Sequence, residues 1–261
     1  MIDARGLTHR YPDGTEAISG VDLSIDAGER VAVVGANGSG KSTLGLALGG
    51  LIDPTAGTVE YFGETTDAEA VRERLGVLLQ DPEDYLFNPT VREDVEYGPA
   101  QLGLDREATD RRVERIAAAL GLEDLLDRPP FRLSGGEKQR AAVASVLSFA
   151  PDALLLDEPL GAVDARYRER ILDLLADHDG ATVVFTPSTD LAPVVADRVV
   201  VVARDGSIAA DGPAREVLTD RALLDAHGLV PPVAVRLFEE IDDDPPLTVE
   251  AARRRLADDS R

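Results

Sequence analysis

The stretch GANGSGKST, residues 35–43, decides which fold this chain can adopt. A glycine-rich loop that ends in Lys followed by Ser or Thr directs a nest of backbone N–H groups at phosphate oxygens. We expect its glycines to let the backbone approach a phosphate group with no Cβ in the way. The stretch therefore predicts a phosphate-binding loop. The residues predicted to bind the nucleotide there are Gly35, Asn37, Gly38, Gly40, Lys41, Ser42 and Thr43.

The residues on either side of the loop favour this interpretation over an ordinary glycine-rich turn. VAVVG, at residues 31–35, is typical of a short buried strand, and LGLALGG after the loop is typical of a helix. A helix that begins at Lys41 adds its positive N-terminal end to the charge of the lysine. In such loops the lysine reaches the outer phosphates of a nucleotide, and the hydroxyl, here of Ser42, binds Mg²⁺.

Two further motifs follow the loop: LSGGEKQR at residues 133–140 and LLLDEP at residues 154–159. Taken alone, LSGGE would fit an ordinary helix start, with Ser134 as the N-cap and Glu137 completing a capping box. LLLDE alone would fit any buried strand that ends in acidic residues. The order and spacing of the three motifs argue against these separate explanations and indicate one site for ATP.

With these motifs, about residues 1–225 resemble the nucleotide-binding subunits of ATP-binding-cassette (ABC) transporters. The resemblance implies an α/β fold: a P-loop ABC ATPase core with an antiparallel β subdomain and a helical insert. LLQDPEDYLFNPTVREDVEYGP, residues 78–99, is similar to the Gln-loop region of the energy-coupling-factor ATPases, which drive vitamin or cobalt/nickel uptake. Residues 212–238 resemble the C-terminal region of the same subfamily. The implied cofactors are ATP and Mg²⁺.

The resemblance also implies how individual residues act. Asp157 would hold Mg²⁺ through water, and Glu158 would polarise the attacking water. Two carboxylates beside a triphosphate need separate roles because like charges tolerate each other there only with a metal between them. Gln80 would contact Mg²⁺ and sense a membrane partner, with an exposed loop amide as the alternative. Tyr11 lies where the family stacks an aromatic ring on adenine, and a core tyrosine of the β subdomain is the alternative.

A second ATPase subunit is implied as well, because subunits of this family close head to tail and share each site. Ser134, Gly135 and Gly136 would meet the γ-phosphate of ATP bound to that second subunit. Asp164 matches the position that links the two sites. Whether the second subunit is an identical copy or a paralogue stays open at this point.

One position departs from the family pattern. The family places a histidine that binds the γ-phosphate just past the strand that follows Glu158. Here that stretch reads TVVFTPSTDL, and the matching residue is Thr189. His178 precedes the strand, so we expect it at the opposite edge of the sheet, because five strand residues span on the order of 15 Å. Either the site is slow, or Thr189 does part of the catalytic work.

Composition limits the remaining function classes. The chain has 49 acidic and 27 basic residues, a net charge of −22 and a pI near 4.4, which disfavours nucleic acid as a partner. Its only lysines are Lys41 and Lys138, and it has no cysteine. The charge resembles that of proteins from salt-loving cytoplasm, where salt screens an acidic surface, although an acidic protein from a GC-rich organism of ordinary salinity is an alternative. With no signal-like N-terminus and no apolar run of about 18 residues, we expect a peripheral protein at the cytoplasmic face of a membrane.

Along the chain we predict a nucleotide-binding domain at residues 1–228, with its helical insert at about 82–150, and an acidic, partly helical extension at 229–261. Residues 80–99, called the Gln80 segment below, are the predicted contact with an integral membrane transport protein. Tyr85, Leu86 and Phe87 form an apolar triplet there, which marks an interface if it is exposed and core if it is not.

Three functions compete at this stage. The first is the ATPase subunit of an importer of the energy-coupling-factor type. The second is a non-transport ABC ATPase of translation or DNA repair, although the chain has one cassette and no coiled-coil arm. The third is a subunit that binds ATP at a degenerate, slow site.

Overall fold

A parallel sheet carries the phosphate-binding loop. We describe the fold from a computed structural model that covers residues 1–242 and 244–258, so Asp243 and residues 259–261 of the predicted extension lie outside the described residues. The six strands run in the order β5-β6-β7-β3-β8-β9, and all neighbours are parallel except the last pair. They are β3 (Arg30–Val34), β5 (Leu75–Leu78), β6 (Ala153–Asp157), β7 (Ala181–Thr186), β8 (Arg198–Val202) and β9 (Ile208–Pro213). The central strands are continuous apolar runs, as expected for strands covered on both faces.

A second, antiparallel sheet confirms the predicted β subdomain. Its order is β2-β1-β4, with β1 at Ile2–Arg10, β2 at Glu16–Ile25 and β4 at Ala56–Tyr61. Ile2 pairs with Ile25 on one side and Tyr61 on the other, and all three are buried. This sheet shares a hydrophobic cluster with Val31, Val33 and Phe185 of the parallel sheet, which fixes the two sheets to each other.

Three helices form the insert between β5 and β6. They are α2 (Val91–Gln101), α3 (Arg106–Leu120) and α4 (Gly135–Ser148). Each begins at a residue whose side chain caps the helix, namely Thr90, Asp105 and Ser134. Buried residues of all three join the main core, including Val95, Val113 and Ala142.

The remaining helices connect the strands or follow the last one. They are α1 (Lys41–Leu48), α5 (Ala165–Ala176), α6 (Ala192–Val195), α7 (Ala214–Thr219), α8 (Arg221–Ala226), α9 (Val233–Phe238) and α10 (Val249–Asp258). A separate small cluster of Ala234, Phe238 and Ala252 joins α9 to α10. Within the described residues, no helix combines the length and apolarity needed to cross a bilayer.

The topology brings the sequence motifs to one edge. β3 runs into the phosphate-binding loop, β6 ends at Asp157, and β7 ends at Thr186. Val34 pairs with Thr186 and Asp157 pairs with Phe185, so the three strands end side by side. The carboxyl edge of a parallel sheet is where ligands of such folds bind.

Candidate nucleotide site

Two glycines of the phosphate-binding loop lie against other atoms of the chain, and the predicted approach of their backbone to a phosphate stays a prediction. A Cβ on Gly35 would lie 2.5 Å from Ser39 Oγ, and one on Gly40, whose φ is +95°, would lie 2.0 Å from the carbonyl oxygen of Ala17. Packing within the chain therefore requires both glycines. Only Gly38, at φ +79° with no atom within 4 Å of its Cβ position, leaves open space beside the backbone.

Lys41 is held across this loop. Its Nζ donates to the carbonyl oxygens of Gly35 at 2.9 Å and Ala36 at 3.0 Å. The side chain is buried at the start of α1. Burial lowers the pKa of this ammonium, and the nearby Asp157 and Glu158 carboxylates oppose that shift. A positive charge fixed beside open backbone N–H groups is the arrangement that binds a phosphate chain.

Ser42, Gln80 and Asp157, the three predicted Mg²⁺ residues, line one cavity of about 230 Å³. Asp157 is buried, and burial raises the pKa of its carboxyl while a hydrogen bond with Ser42 lowers it. Hydroxyl, carboxylate and amide oxygens are the donors that Mg²⁺ prefers, together with phosphate oxygens. The donor set therefore fits the ion that the sequence predicts.

Glu158 follows Asp157 with a strained backbone. Its φ is +47°, a conformation that costs a non-glycine residue about 1–3 kcal/mol. Its N–H donates to the Phe185 carbonyl at 3.0 Å, and Gln139 Nε2 lies 3.4 Å from the Glu158 carbonyl oxygen. These contacts hold the turn between the acidic strand end and Asp164. Sequence reasoning missed Gln139, although it belongs to the quoted LSGGEKQR motif.

The LSGGE motif is a capping box as well as a candidate phosphate contact. Ser134 Oγ accepts from the Glu137 N–H at 3.4 Å, and the Ser134 N–H donates to Glu137 Oε2 at 2.7 Å. Gly136 is packed so that a Cβ would lie 2.7 Å from the Ala162 carbonyl oxygen, whereas Gly135 faces open space. Among the described residues that line the Ser42 cavity, none comes from this motif. Ser134 and Gly135 are exposed and available to another subunit.

Asp164 lies at the start of α5 as its N-cap, yet its side chain makes no capping hydrogen bond. The residue is exposed. An exposed carboxylate that its own helix does not use agrees with the predicted role at a subunit boundary, which stays a prediction.

Tyr11 lies beside the phosphate-binding loop. Its hydroxyl is 3.1 Å from Thr43 Oγ1, and its ring meets the His9 ring edge-on at 4.9 Å. The residue is 37% exposed, so it is not the core tyrosine of the alternative interpretation. Stacking of this ring on adenine stays a prediction.

Thr189 is placed at the carboxyl edge but is directed to a different partner from the predicted one. Its buried side chain donates from Oγ1 to the Val230 carbonyl oxygen at 2.7 Å. The Val230 carbonyl takes the one proton that this hydroxyl can donate, and a contact of Thr189 with a γ-phosphate stays a prediction. His178 lines a cavity with Gly28 and Asp152 at the start of β6 and β7, the opposite edge, as predicted.

The apolar triplet of the Gln80 segment divides between core and surface. The Tyr85 hydroxyl donates to the Val77 carbonyl at 2.6 Å and accepts from the Leu79 N–H at 2.9 Å, and both Tyr85 and Leu86 pack on the main core. Phe87 is 62% exposed. The exposed alternative therefore holds for Phe87 and the core alternative for Tyr85 and Leu86, because the hydroxyl of half-buried Tyr85 has two backbone partners beside β5.

Comparisons with known proteins agree with this geometry. The profile of the ABC transporter family matches residues 18–161. The energy-coupling factor transporter ATP-binding protein EcfA of Methanosphaera stadtmanae is 38% identical over 256 residues, which cover 95% of this chain and 92% of that protein. The structure of CbiO1 from Clostridium perfringens, part of the ABC transporter complex CbiONQ, superposes with a TM-score of 0.72 at 31% identity, over 91% of this chain and 98% of that one.

A third comparison shows a related cassette after hydrolysis. The dimeric structure of the ATP-binding cassette MJ0796 bound to ADP and phosphate has a TM-score of 0.74 and 28% identity, over 82% of this chain and 99% of that one. The motifs, the fold and these similarities agree: the chain belongs to the ABC transporter family as an ATP-binding subunit, and it is an ATPase.

Proposed function

We propose that this chain is the ATPase subunit of an importer of the energy-coupling-factor type, peripheral to the cytoplasmic face of the membrane, and that it powers uptake of a vitamin or a cobalt/nickel-like ion. The similarity to EcfA and to CbiO1 supports this type of transporter. The resemblance of residues 78–99 to the same subfamily's Gln-loop region agrees with it.

One observation supports coupling between ATP binding and a membrane partner: two neighbouring cavities share one wall. Val77, Leu79 and Asp84 line the cavity that holds Ser42, Gln80 and Asp157. The same three residues also line a neighbouring groove of about 400 Å³. A shift of this wall on one side therefore changes the shape of the other side.

The groove has the surface of a docking site. Phe87 and Tyr97, exposed by 62% and 49%, meet edge-on at 5.2 Å on its rim, and Leu51 and Phe149 line its wall. Buried Asp94 fixes this rim, because its Oδ1 accepts from the N–H groups of Phe87 and Asn88 at 3.0 and 2.8 Å. Adjacent exposed aromatic rings over a groove are typical of an interface with another protein.

Within the ATP site, each residue has a role that follows from its place. The phosphate-binding loop and Lys41 would hold the phosphates, and Glu158 would orient and deprotonate the attacking water. Mg²⁺, held by Ser42, Asp157 and Gln80, would neutralise charge that develops on the phosphates. Ser134 and Gly135 of a second ATPase subunit, identical or paralogous, would close over the nucleotide.

Co-purification tests the membrane contact. Phe87→Asp and Tyr97→Asp place a charge on the groove rim, and we expect each to reduce recovery of a membrane transport protein that is co-expressed with this subunit. Val249→Asp, at a 49% exposed valine on α10, is the matched control. If Phe87→Asp keeps full assembly while the subunit stays folded, the membrane partner binds elsewhere.

A second candidate, a subunit with a slow ATP site, is favoured by the hydrogen bond from Thr189 to Val230. Such a subunit works beside a paralogue that carries the faster site. Steady-state ATPase assays of the purified chain alone and mixed with its paralogue separate the two candidates. Turnover by the chain alone at the rate of the mixture rejects the slow site.

A further inference from the structure

Two consecutive residues of the loop after β7 bind the C-terminal part of the chain. Thr189 Oγ1 donates to the Val230 carbonyl at 2.7 Å, and the Asp190 carboxylate accepts from the Val233 N–H at 2.7 Å. We call these four residues the C-terminal anchor. The contacts join positions that are 41 and 43 residues apart in the sequence.

The segment between the two contacts is stiff. Pro231 and Pro232 separate Val230 from Val233, and both prolines are buried. Each proline ring fixes φ and removes an N–H group, so the segment has few conformations and no donor of its own before Val233. A displacement at one end of such a segment is transmitted to the other end.

One side of the anchor reaches the nucleotide edge. Thr189 lies three residues after Thr186, the end of β7, and Thr186 pairs with Val34 directly before the phosphate-binding loop. The Glu158 N–H also binds the Phe185 carbonyl on the same strand. The position of the loop at residues 187–191 therefore bears on the site where the γ-phosphate would lie.

The other side of the anchor leads into a unit with its own packing. Val233 begins α9, whose Ala234 and Phe238 pack with Ala252 of α10 in a cluster separate from the main core. Ion pairs of Arg221 with Glu239 and of Arg215 with Asp244 also attach this unit. Those pairs bind α7 and α8, whereas the anchor binds the loop that follows β7.

We propose that Thr189 and Asp190 are positioning residues: through the anchor, the C-terminal helices set the position of the loop after β7 and thereby the rate of ATP turnover. The proposal rests on the nucleotide site assigned above. It gives Thr189 a role through Val230 and not through direct contact with the γ-phosphate.

Paired substitutions in the full-length chain test this proposal. Thr189→Val and Asp190→Ala each remove one contact, whereas Thr189→Ser and Asp190→Asn keep a hydroxyl donor and a carbonyl acceptor. Asp177→Ala, at an exposed aspartate on the opposite edge, is the matched control. Lys41→Ala, which removes the loop's lysine, tests the nucleotide site itself. The readouts are nucleotide affinity, kcat, KM and amide hydrogen exchange of residues 229–238.

We expect Thr189→Val and Asp190→Ala each to lower kcat about tenfold, which corresponds to about 1.4 kcal/mol of transition-state stabilisation, with nucleotide affinity retained. Exchange in residues 229–238 should rise in both, the double variant should be no slower than either single variant, and the conservative variants should retain activity. The near-isosteric Thr189→Val decides the matter if Asp190→Ala does not fold.

Three results would overturn the proposal. Unchanged exchange would show that the anchor is absent in solution, and raised exchange with unchanged kcat would make it a purely structural contact. A loss of kcat in Thr189→Val, with none in Asp190→Ala and no change in exchange, would assign Thr189 to the γ-phosphate. A failure of the nucleotide site is recognised separately, because Lys41→Ala would then leave nucleotide affinity intact.

Discussion

At the scale of single residues, Glu158 carries the most direct prediction. Its backbone is held at φ +47° between the Phe185 carbonyl and the Gln139 side chain, next to buried Asp157. Glu158→Gln keeps the shape of the side chain but cannot accept a proton from water, so we expect ATP binding to persist and hydrolysis to fall by about 10²–10⁴-fold. Phosphate release and nucleotide binding measure the two effects, with Glu169→Gln on the exposed face of α5 as the control. Normal hydrolysis in Glu158→Gln would remove the residue from the role of base.

Asp94 makes a pH-dependent prediction at the same scale. Burial raises the pKa of its carboxyl, although hydrogen bonds from Asn88 and Phe87 partly oppose the shift. The folded state therefore binds this proton more tightly than the unfolded state. The stability that protonated Asp94 provides is fully present below the unfolded pKa, near 3.8, and is lost as pH rises through the folded pKa. Asp94→Asn should remove that loss, so its free energy of unfolding should fall less than that of the wild type over this range. The free energy of unfolding of both proteins is measured by urea denaturation at several pH values. An equal change with pH in the wild type and in Asp94→Asn would contradict the prediction.

The positions of site residues were predicted best where each belongs to a local motif. The sequence predicts Lys41, Ser42, Gln80 and Asp157 as one site, and the cavity brings the last three together because parallel strands end at a common edge. The partner of Thr189 lies 41 residues further along the chain, so no local pattern could reveal it. The reason for Gly40 is equally non-local, since Ala17 of another strand occupies the space beside it.

At the scale of elements, an ion pair joins the Gln80 segment to α4, the helix that begins within the LSGG motif. Lys138 Nζ on α4 pairs with the Glu83 carboxylate, and Lys138 is one of only two lysines in the chain. A partly exposed pair contributes only about 0.2–1 kcal/mol to stability. We therefore expect its effect on the coupling between the membrane partner and ATPase activity, and not on folding. We expect Glu83→Lys and Lys138→Glu each to weaken the stimulation of ATPase activity by the membrane partner, and the double exchange to restore it. Glu93→Lys, an exposed change in the same segment, controls for charge alone, and equal loss in that variant would reject the pair.

Element boundaries were mostly predictable, because apolar runs and capping residues are short patterns of adjacent residues in the sequence. The helical insert predicted at about 82–150 contains α3 at Arg106–Leu120, capped by Asp105 and ended by Gly121 at φ +63°. The capping box that LSGGE would form as an ordinary helix start is present as well. The division of Tyr85 from Phe87 was not predictable, because it depends on how α2 and α4 pack over the end of β5.

At the scale of the whole molecule, the net charge is the main electrostatic influence on stability. A charge of −22 on 261 residues means that folding brings like charges together, and this repulsion destabilises the compact state. Most ion pairs of the described residues are at least partly exposed, so they offset little of it. The acidic residues are spread along the chain and do not form one patch. Dissolved salt is then the main remaining source of screening.

We therefore expect the thermal midpoint of unfolding to rise from about 0.1 M to about 1 M KCl, where the Debye length falls from about 10 Å to about 3 Å, and to level off above that. Potassium sulfate at equal ionic strength should give the same rise if screening is the cause, and a larger one if exclusion of the anion from the surface is the cause. Combining Glu114→Gln, Glu169→Gln and Asp177→Asn, at exposed carboxylates with no ion pair among the described residues, should raise the midpoint at low salt and reduce the salt effect. A thermal midpoint that stays the same between 0.1 M and 1 M KCl would show that charge repulsion does not limit the stability of this fold. The stability data would then not support the interpretation that the acidic surface is an adaptation to high salt.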